Sequence, residues 1–351
     1  CPDGHGATGK LISDVNGNLY GVTYDGGVGQ GLVFELAHDP ARTTWSFNVL
    51  YTFCVDHGFC LDGNAPFWTG LTYAGAETGA PYDGVSPLFG STSEGGRGGD
   101  ATDAGSGTLF EMTPGKHGGW THKIIYSFCV NTTRPRCKDG GPSNGLTIDA
   151  DGALYGPTSG GKNQTGVIFR IAPDGDKWNQ NFVHVFGPFS GGDGDQPNGG
   201  VALAPSGAVV GTTAYGGGND IDYYKIGGGT LFSAGSAYAI LHSFCAEPAC
   251  ADGEYPGAPV VFDAADNIFG TTSIGGTTYN DVGAGVVFRM GADGKYKVLH
   301  AFCSSANCAD GAFPDDGVVI APSGKLYGTT SAGGAHPTDG FAAGTVFEIT
   351  P

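Results

Sequence analysis

Leu326-Tyr327-Gly328-Thr329-Thr330-Ser331-Ala332-Gly333-Gly334, with Gly344-Thr345-Val346-Phe347-Glu348-Ile349-Thr350-Pro351 after it, is the clearest copy of a pattern that fills this chain. The first half returns as Leu19-Tyr20-Gly21-Val22-Thr23, Leu88-Phe89-Gly90-Ser91-Thr92 and Leu154-Tyr155-Gly156-Pro157-Thr158. It returns again as Val209-Val210-Gly211-Thr212-Thr213 and Ile268-Phe269-Gly270-Thr271-Thr272. A Gly-Gly pair follows each copy, at 26–27, 95–96, 160–161, 216–217, 275–276 and 333–334. Next comes an apolar run such as Gly107-Thr108-Leu109-Phe110 or Gly285-Val286-Val287-Phe288. A further run follows, as in Val49-Leu50-Tyr51-Thr52-Phe53 or Val298-Leu299-His300-Ala301-Phe302. An Asp-Gly and a short apolar stretch, such as Gly145-Leu146-Thr147-Ile148, lead into the next copy.

The period is roughly 55–70 residues, and it holds four short strands with no helical pattern between them, which is the arithmetic of a propeller blade. A parallel β-helix is the alternative, but its repeats are usually shorter and it needs end caps. The sequence therefore predicts an all-β fold, a six-bladed β-propeller with four antiparallel strands per blade. One domain is expected over 1–351, with repeats near 1–53, 54–128, 129–186, 187–244, 245–302 and 303–351.

Composition agrees. Of 351 residues 66 are glycine, and they fall between apolar runs, as turn residues of a many-stranded protein do. Thirty-four Asp and Glu against sixteen Lys and Arg give a net charge of −18. That field repels phosphate, so nucleic acid and anionic membrane are poor partners, while cations, neutral glycans and basic proteins remain open. No stretch approaches the ~20 apolar residues of a membrane span.

Eight of nine cysteines fall in close pairs, Cys54 with Cys60, Cys129 with Cys137, Cys245 with Cys250 and Cys303 with Cys308. None is a CxxC, which disfavours zinc-ribbon and redox readings. They read as disulfide staples across a loop, and disulfides imply an oxidising compartment, hence a secreted or cell-surface protein. Only the joint from Phe186 to Asp193 lacks cysteines, which favours a stabilising role for the staples.

The stretches at 326–334 and 344–351 resemble the Gloeo-Verruco (GloVer) repeats of exported bacterial proteins, with six copies over essentially the whole chain. The resemblance implies a repeat-built exported protein and little about chemistry. The rhythm is also loosely similar to virginiamycin B lyase-like and NHL propellers.

Cys1-Pro2-Asp3-Gly4 matches the second cysteine of a pair, as in Cys308-Ala309-Asp310-Gly311, and the last copy lacks its fourth strand, so the last blade is incomplete in this sequence. An upstream stretch, a strand from a neighbouring molecule, or a lipoprotein-type mature Cys1 would each account for this. The open edge also invites self-association.

Strand parity places the stapled joints and the variable loops after Gly-Gly on one face, where rigid scaffolds display binding residues. Tyr223, Tyr224, Tyr279, His336 and Phe341 in those loops are the binding candidates, with Asp220, Asp222 and Asp281 beside them. Asp3, Asp62, Asp139, Asp193, Asp252 and Asp310, one per repeat, are weak candidates for calcium. An Asp capping its turn explains that pattern without a ligand. Asn131 and Asn163 head glycosylation sequons.

No catalytic residue stands out. His184, His242 and His300 occupy the repeat position of Tyr51 and Tyr126, and the other histidines are scattered. His336 and Glu94 could share a loop face as a lyase would require, but nothing selects them. No nucleophile elbow, HExxH, phosphate loop or dinucleotide fingerprint is present. The reading is a non-enzymatic surface module that binds a glycan or protein, or forms a surface polymer or extracellular filament, with no cofactor required. The alternative is a carbohydrate-active or lyase-type enzyme with its site in the variable loops.

Overall fold

The computed structural model describes residues 3–27, 29–41, 43–55, 60–66, 70–97, 106–116, 118–130, 137–161, 164–187, 192–218, 227–276, 283–334 and 344–351. The chain is an all-β, six-bladed β-propeller, each blade an antiparallel sheet whose strands follow one another in sequence. Two compact units divide it, Cys1–Val185 and Phe186–Pro351. Among the described residues no helix is long and apolar enough to cross a membrane.

Unit one holds three sheets. The first is His5–Ser13, Leu19–Asp25, Leu32–Asp39 and Thr44–Thr52; the second is Thr72–Tyr73, Leu88–Thr92, Thr108–Pro114 and Trp120–Ser127. The third is Thr147–Ile148, Leu154–Ser159, Val167–Asp174 and Lys177–Val185, with Gly141–Pro142 pairing beside Thr147–Ile148 on the same strand. Unit two repeats the plan with Val201–Leu203, Val209–Thr213, Thr230–Ala234 and Tyr238–Ser243, then Val261–Phe262, Ile268–Thr272, Val286–Met290 and Tyr296–Ala301. Its last sheet has three described strands, Val319–Ile320, Leu326–Thr330 and Thr345–Ile349.

Burial explains the order. The second and third strands of a blade are largely buried, as Ile268–Thr272 and Val286–Met290 illustrate, because neighbours cover both faces. The fourth alternates with solvent, as in Trp120–Ser127, so it is the outer strand. The phenylalanine just after it turns inward and meets the third-strand phenylalanine of the next blade. Phe53 meets Phe110, Phe128 meets Phe169, Phe244 meets Phe288 and Phe302 meets Phe347, with ring centroids 5.0–5.3 Å apart. Tilted aromatic pairs of this kind join blade to blade at every such step within a unit.

The repeated Leu-Tyr-Gly motif has a steric cause. A Cβ on Gly270 would lie 2.6 Å from Cζ of Phe288, and one on Gly90 2.4 Å from Cζ of Phe110. The glycine lets the phenylalanine ring lie across the second strand. Gly270→Ala is expected to cost about 1–3 kcal/mol by overpacking, read as a lowered denaturant midpoint with an unchanged slope.

The repeated threonines bind backbone. Thr92 donates to the carbonyl of Glu94 and Thr213 to that of Tyr215, both at 2.8 Å, fixing the turn into Gly-Gly. Thr92 also meets Thr108 at 2.9 Å, and Thr213 meets Thr230 at 2.8 Å.

Candidate functional site

The joints that lead from one blade to the next form the frame of the site. Disulfides link Cys54–Cys60, Cys129–Cys137, Cys245–Cys250 and Cys303–Cys308. All these cysteines except Cys137 have φ between 44° and 61°, the left-handed region that side chains avoid. The staple holds a turn that the bare sequence would not favour.

The aspartate of each Asp-Gly sits inside the joint. Asp62 accepts hydrogen bonds from the Tyr51 hydroxyl at 2.8 Å and the Cys54 amide at 3.1 Å. Asp139 accepts from the Tyr126 hydroxyl at 2.9 Å and the Cys129 amide. Asp252 accepts from Nε2 of His242 at 3.0 Å and the amides of Ala246 and Glu247, both at 3.1 Å. Asp310 does the same with His300, Ser304 and Ser305. In the unstapled joint the Gly187 amide donates to Asp193. Asp3 is exposed. A cation at the five joint aspartates would have to displace these donors.

Tyr51, Tyr126, His242 and His300 are therefore equivalent donors to the joint carboxylate, a role beyond aromatic packing. His242 also stacks on Tyr296, 3.7 Å between centroids, and Tyr51 on His122 at 4.0 Å. Burial lowers the His122 pKa to about 4, against a small opposing pull from Asp62, so its ring is neutral at pH 7. Ser304 and His300 converge on one oxygen of Asp310, at 2.8 and 3.1 Å. A serine triad would need the serine bonded to the histidine instead.

Beside this frame runs a row that differs from blade to blade. The residue after Asp-Gly pairs with the residue before Gly-Gly: His5 with Asp25, Asn64 with Glu94, Gly141 with Ser159, Asp195 with Tyr215, Glu254 with Ile274, and Ala312 with Ala332. The residue that follows Asn64, Asp195, Glu254 or Ala312 has φ of 52–58°, so the chain twists sharply at this point. Between the first two blades the row opens into a cavity of about 230 Å³ lined by Tyr24, Asp25, Gln30, Asn64, Ala65 and Glu94.

Asp195 is 2% exposed, and neither carboxylate oxygen has a hydrogen-bond partner among the described residues. Burial raises its pKa to about 6; the nearby Gln196 amide, outside hydrogen-bonding geometry, opposes this, and the Asp193 charge adds to it. A raised folded pKa means that stability falls as pH rises from about 4 to about 6. Asp195→Asn is expected to gain roughly 1–2 kcal/mol at pH 7 and nothing near pH 4, measured by denaturant unfolding at both pH values.

Two other clusters bring acidic groups near sulfur, Cys129–Cys137–Asp139 and Cys245–Cys250–Glu254. The sulfurs are bonded to each other and offer no thiolate. Of the residues singled out in the sequence, Tyr223, Tyr224, Tyr279, His336, Phe341, Asp220, Asp222, Asp281, Asn131, Asn163 and Cys1 lie outside the described residues. The polar row escaped the sequence reading because self-comparison marks what repeats. Its signal was partial: a polar residue flanks the Asp-Gly or Gly-Gly in some copies, as at His5, Asn64, Asp195 and Glu254, and not in others, as at Ala312 and Ala332.

Among solved structures, the chain is similar to an α-L-arabinanase of Penicillium chrysogenum, with 13% identity over 98% of this chain and 92% of that one and a TM-score of 0.52. It is similar to a gluconolactonase of Xanthomonas campestris at 12% identity, 99% and 86% coverage and a TM-score of 0.46. For a sialidase of Trypanosoma rangeli the values are 10%, 99%, 55% and 0.45. At such identities the likeness is one of fold. No curated protein matches the sequence. The Gloeobacter/Verrucomicrobia repeat matches over residues 189–351, the stretch that holds the fourth to sixth copies of the pattern. Residues 189–351 of this chain are thus similar to the Gloeobacter/Verrucomicrobia repeat.

Proposed function

We propose that this protein is a secreted or cell-surface binding module, without catalytic activity of its own, that holds a glycan or protein on the face of the stapled joints. One observation carries this reading: invariant residues are spent on the frame, while the polar row on that frame changes at every blade. His5, Asn64, Gly141, Asp195, Glu254 and Ala312 occupy one position with six different residue types. Variable groups on a rigid repeated support favour recognition. Chemistry, by contrast, needs a histidine or carboxylate free to move a proton. The described His–Asp pairs at 242–252 and 300–310 are built into joints instead.

Four disulfides support an extracellular setting. The acidic surface supports neutral or cationic ligands over nucleic acid. This role requires no cofactor. Self-association into a surface polymer is a variant of the same role.

A glycan array probed with the whole chain tests the reading. Retention of a neutral or amine-bearing glycan, lost when the staples are reduced, supports it. Failure to retain any array glycan or any surface protein of the producing cell counts against it.

A further inference from the structure

We propose that the Cys245–Cys250 disulfide is a redox-sensitive latch, the staple that a dithiol reductant opens first, and that its opening frees the Gly275–Gly276 turn beside the polar row. The latch stands whether or not that face holds a glycan. Backbone strain and access single out this staple. Cys245, Ala249 and Cys250 have φ of 59°, 55° and 50°, three left-handed residues within one short loop. Alanine has nothing to gain in that region, whereas asparagine adopts it several-fold more readily. The matching loop at Cys303–Cys308 places Asn307 there, with φ of 59°. That second loop also buries Cys308, 5% exposed, while Cys245 and Cys250 are both half-buried and Ala249 is exposed. Cys129 and Cys137 are both buried, Cys137 is not left-handed, and Cys54 is buried as well. Strained or exposed disulfides are the labile ones.

The latch reaches the row through one carbonyl. That of Cys250 accepts the amides of Gly253 and Gly276, both at 2.8 Å, while the Cys245 amide donates to the Gly253 carbonyl at 2.9 Å. Glu254 follows Gly253 directly, and its row partner Ile274 comes just before Gly275–Gly276, so both members of this pair adjoin a bond to that carbonyl. Reduction proceeds by thiol–disulfide exchange: a thiolate of the dithiol attacks one staple sulfur and displaces the other as a thiolate. Its second thiolate then attacks the mixed disulfide, closes a disulfide within the reductant and releases the remaining cysteine. Two electrons pass to the staple, and one S–S bond forms for the one that breaks. With the link gone, Ala249 and both cysteines relax to ordinary φ, which moves the Cys250 carbonyl away from Gly276. The joint itself survives, since the cysteine-free joint holds Asp193 on the Gly187 amide without a staple.

Graded reduction of the whole oxidised chain with dithiothreitol, any free thiol blocked beforehand, is the test, with the released cysteines alkylated and located by peptide mass spectrometry. Cys245 and Cys250 are expected to be labelled at about tenfold less reductant than Cys129 and Cys137. Deuterium exchange of the Gly276 amide should rise in that partly reduced chain. The Gly334 amide, held by the Cys308 carbonyl at 2.9 Å, should stay protected, with circular dichroism unaltered. Ala249→Asn, which gives this loop the residue of its Cys303–Cys308 counterpart, is expected to need severalfold more reductant. Simultaneous opening of all four staples, earlier opening of another, or unchanged Gly276 exchange would overturn the proposal. So would loss of the fold on cleavage of this staple, or an Ala249→Asn chain reduced as readily as wild type. None of these readouts involves a ligand, so the latch and the binding role fail separately.

Discussion

Truncating Phe244 to alanine is expected to destabilise the second unit by about 3–5 kcal/mol. The ring is fully buried. It lies 5.2 Å from Phe288, 4.9 Å from His242 and 5.9 Å from Tyr296, centroid to centroid. Three strands meet on it, so the cavity left behind could not collapse without moving two blades. Phe182, on the outer strand of the third sheet, is 39% exposed, and its truncation is expected to cost about 1 kcal/mol or less. Urea unfolding of both variants measures the contrast. Equal losses would mean that the phenylalanine ladder is not what joins the blades.

Asp252→Ala is expected to cost about 2–4 kcal/mol, because it strips the acceptor from an imidazole and two amides inside a joint. Burial by itself would raise the Asp252 carboxyl, but His242 and the amides of Glu247 and Ala246 more than offset it and hold its pKa below the usual carboxylate range. A carboxyl depressed on folding stabilises the protein above its unfolded pKa of about 3.9, and that contribution is lost as pH falls through the folded value. Asp310 is lowered in the same direction: burial opposes, and Ser304 and Ser305 prevail. Wild type should therefore lose stability below about pH 4, and Asp252→Ala should lose less of it. Unfolding curves at pH 7 and at acid pH test this; parallel losses in the two proteins would remove the joint carboxylate from the account.

The fold was legible because each blade must solve the same problem. Gly270 under Phe288 and Gly90 under Phe110 recur because no other residue fits there, so six copies of one motif announce six blades. The staples were legible from the spacing of cysteines. The link between His242 and Asp252 was less so: ten positions separate them, and a Tyr or His at that repeat position reads as packing until the joint folds back. Strand lengths also escaped, as His5–Ser13 spans nine residues with a bulge between Thr8 and Ile12, while Val319–Ile320 spans two. The polar row was hardest, since Asn64, Asp195 and Glu254 share a place and not a residue type. Their chemistry depends on which loop turns over them, and periodicity carries no trace of that.

Mass spectrometry of a retained oligosaccharide, incubated with catalytic and with equimolar amounts of the chain, tests the central claim most directly. The account predicts that the sugar is recovered with its mass and linkages unchanged. Cleaved or unsaturated product accumulating in molar excess over the protein would contradict it and identify a propeller enzyme.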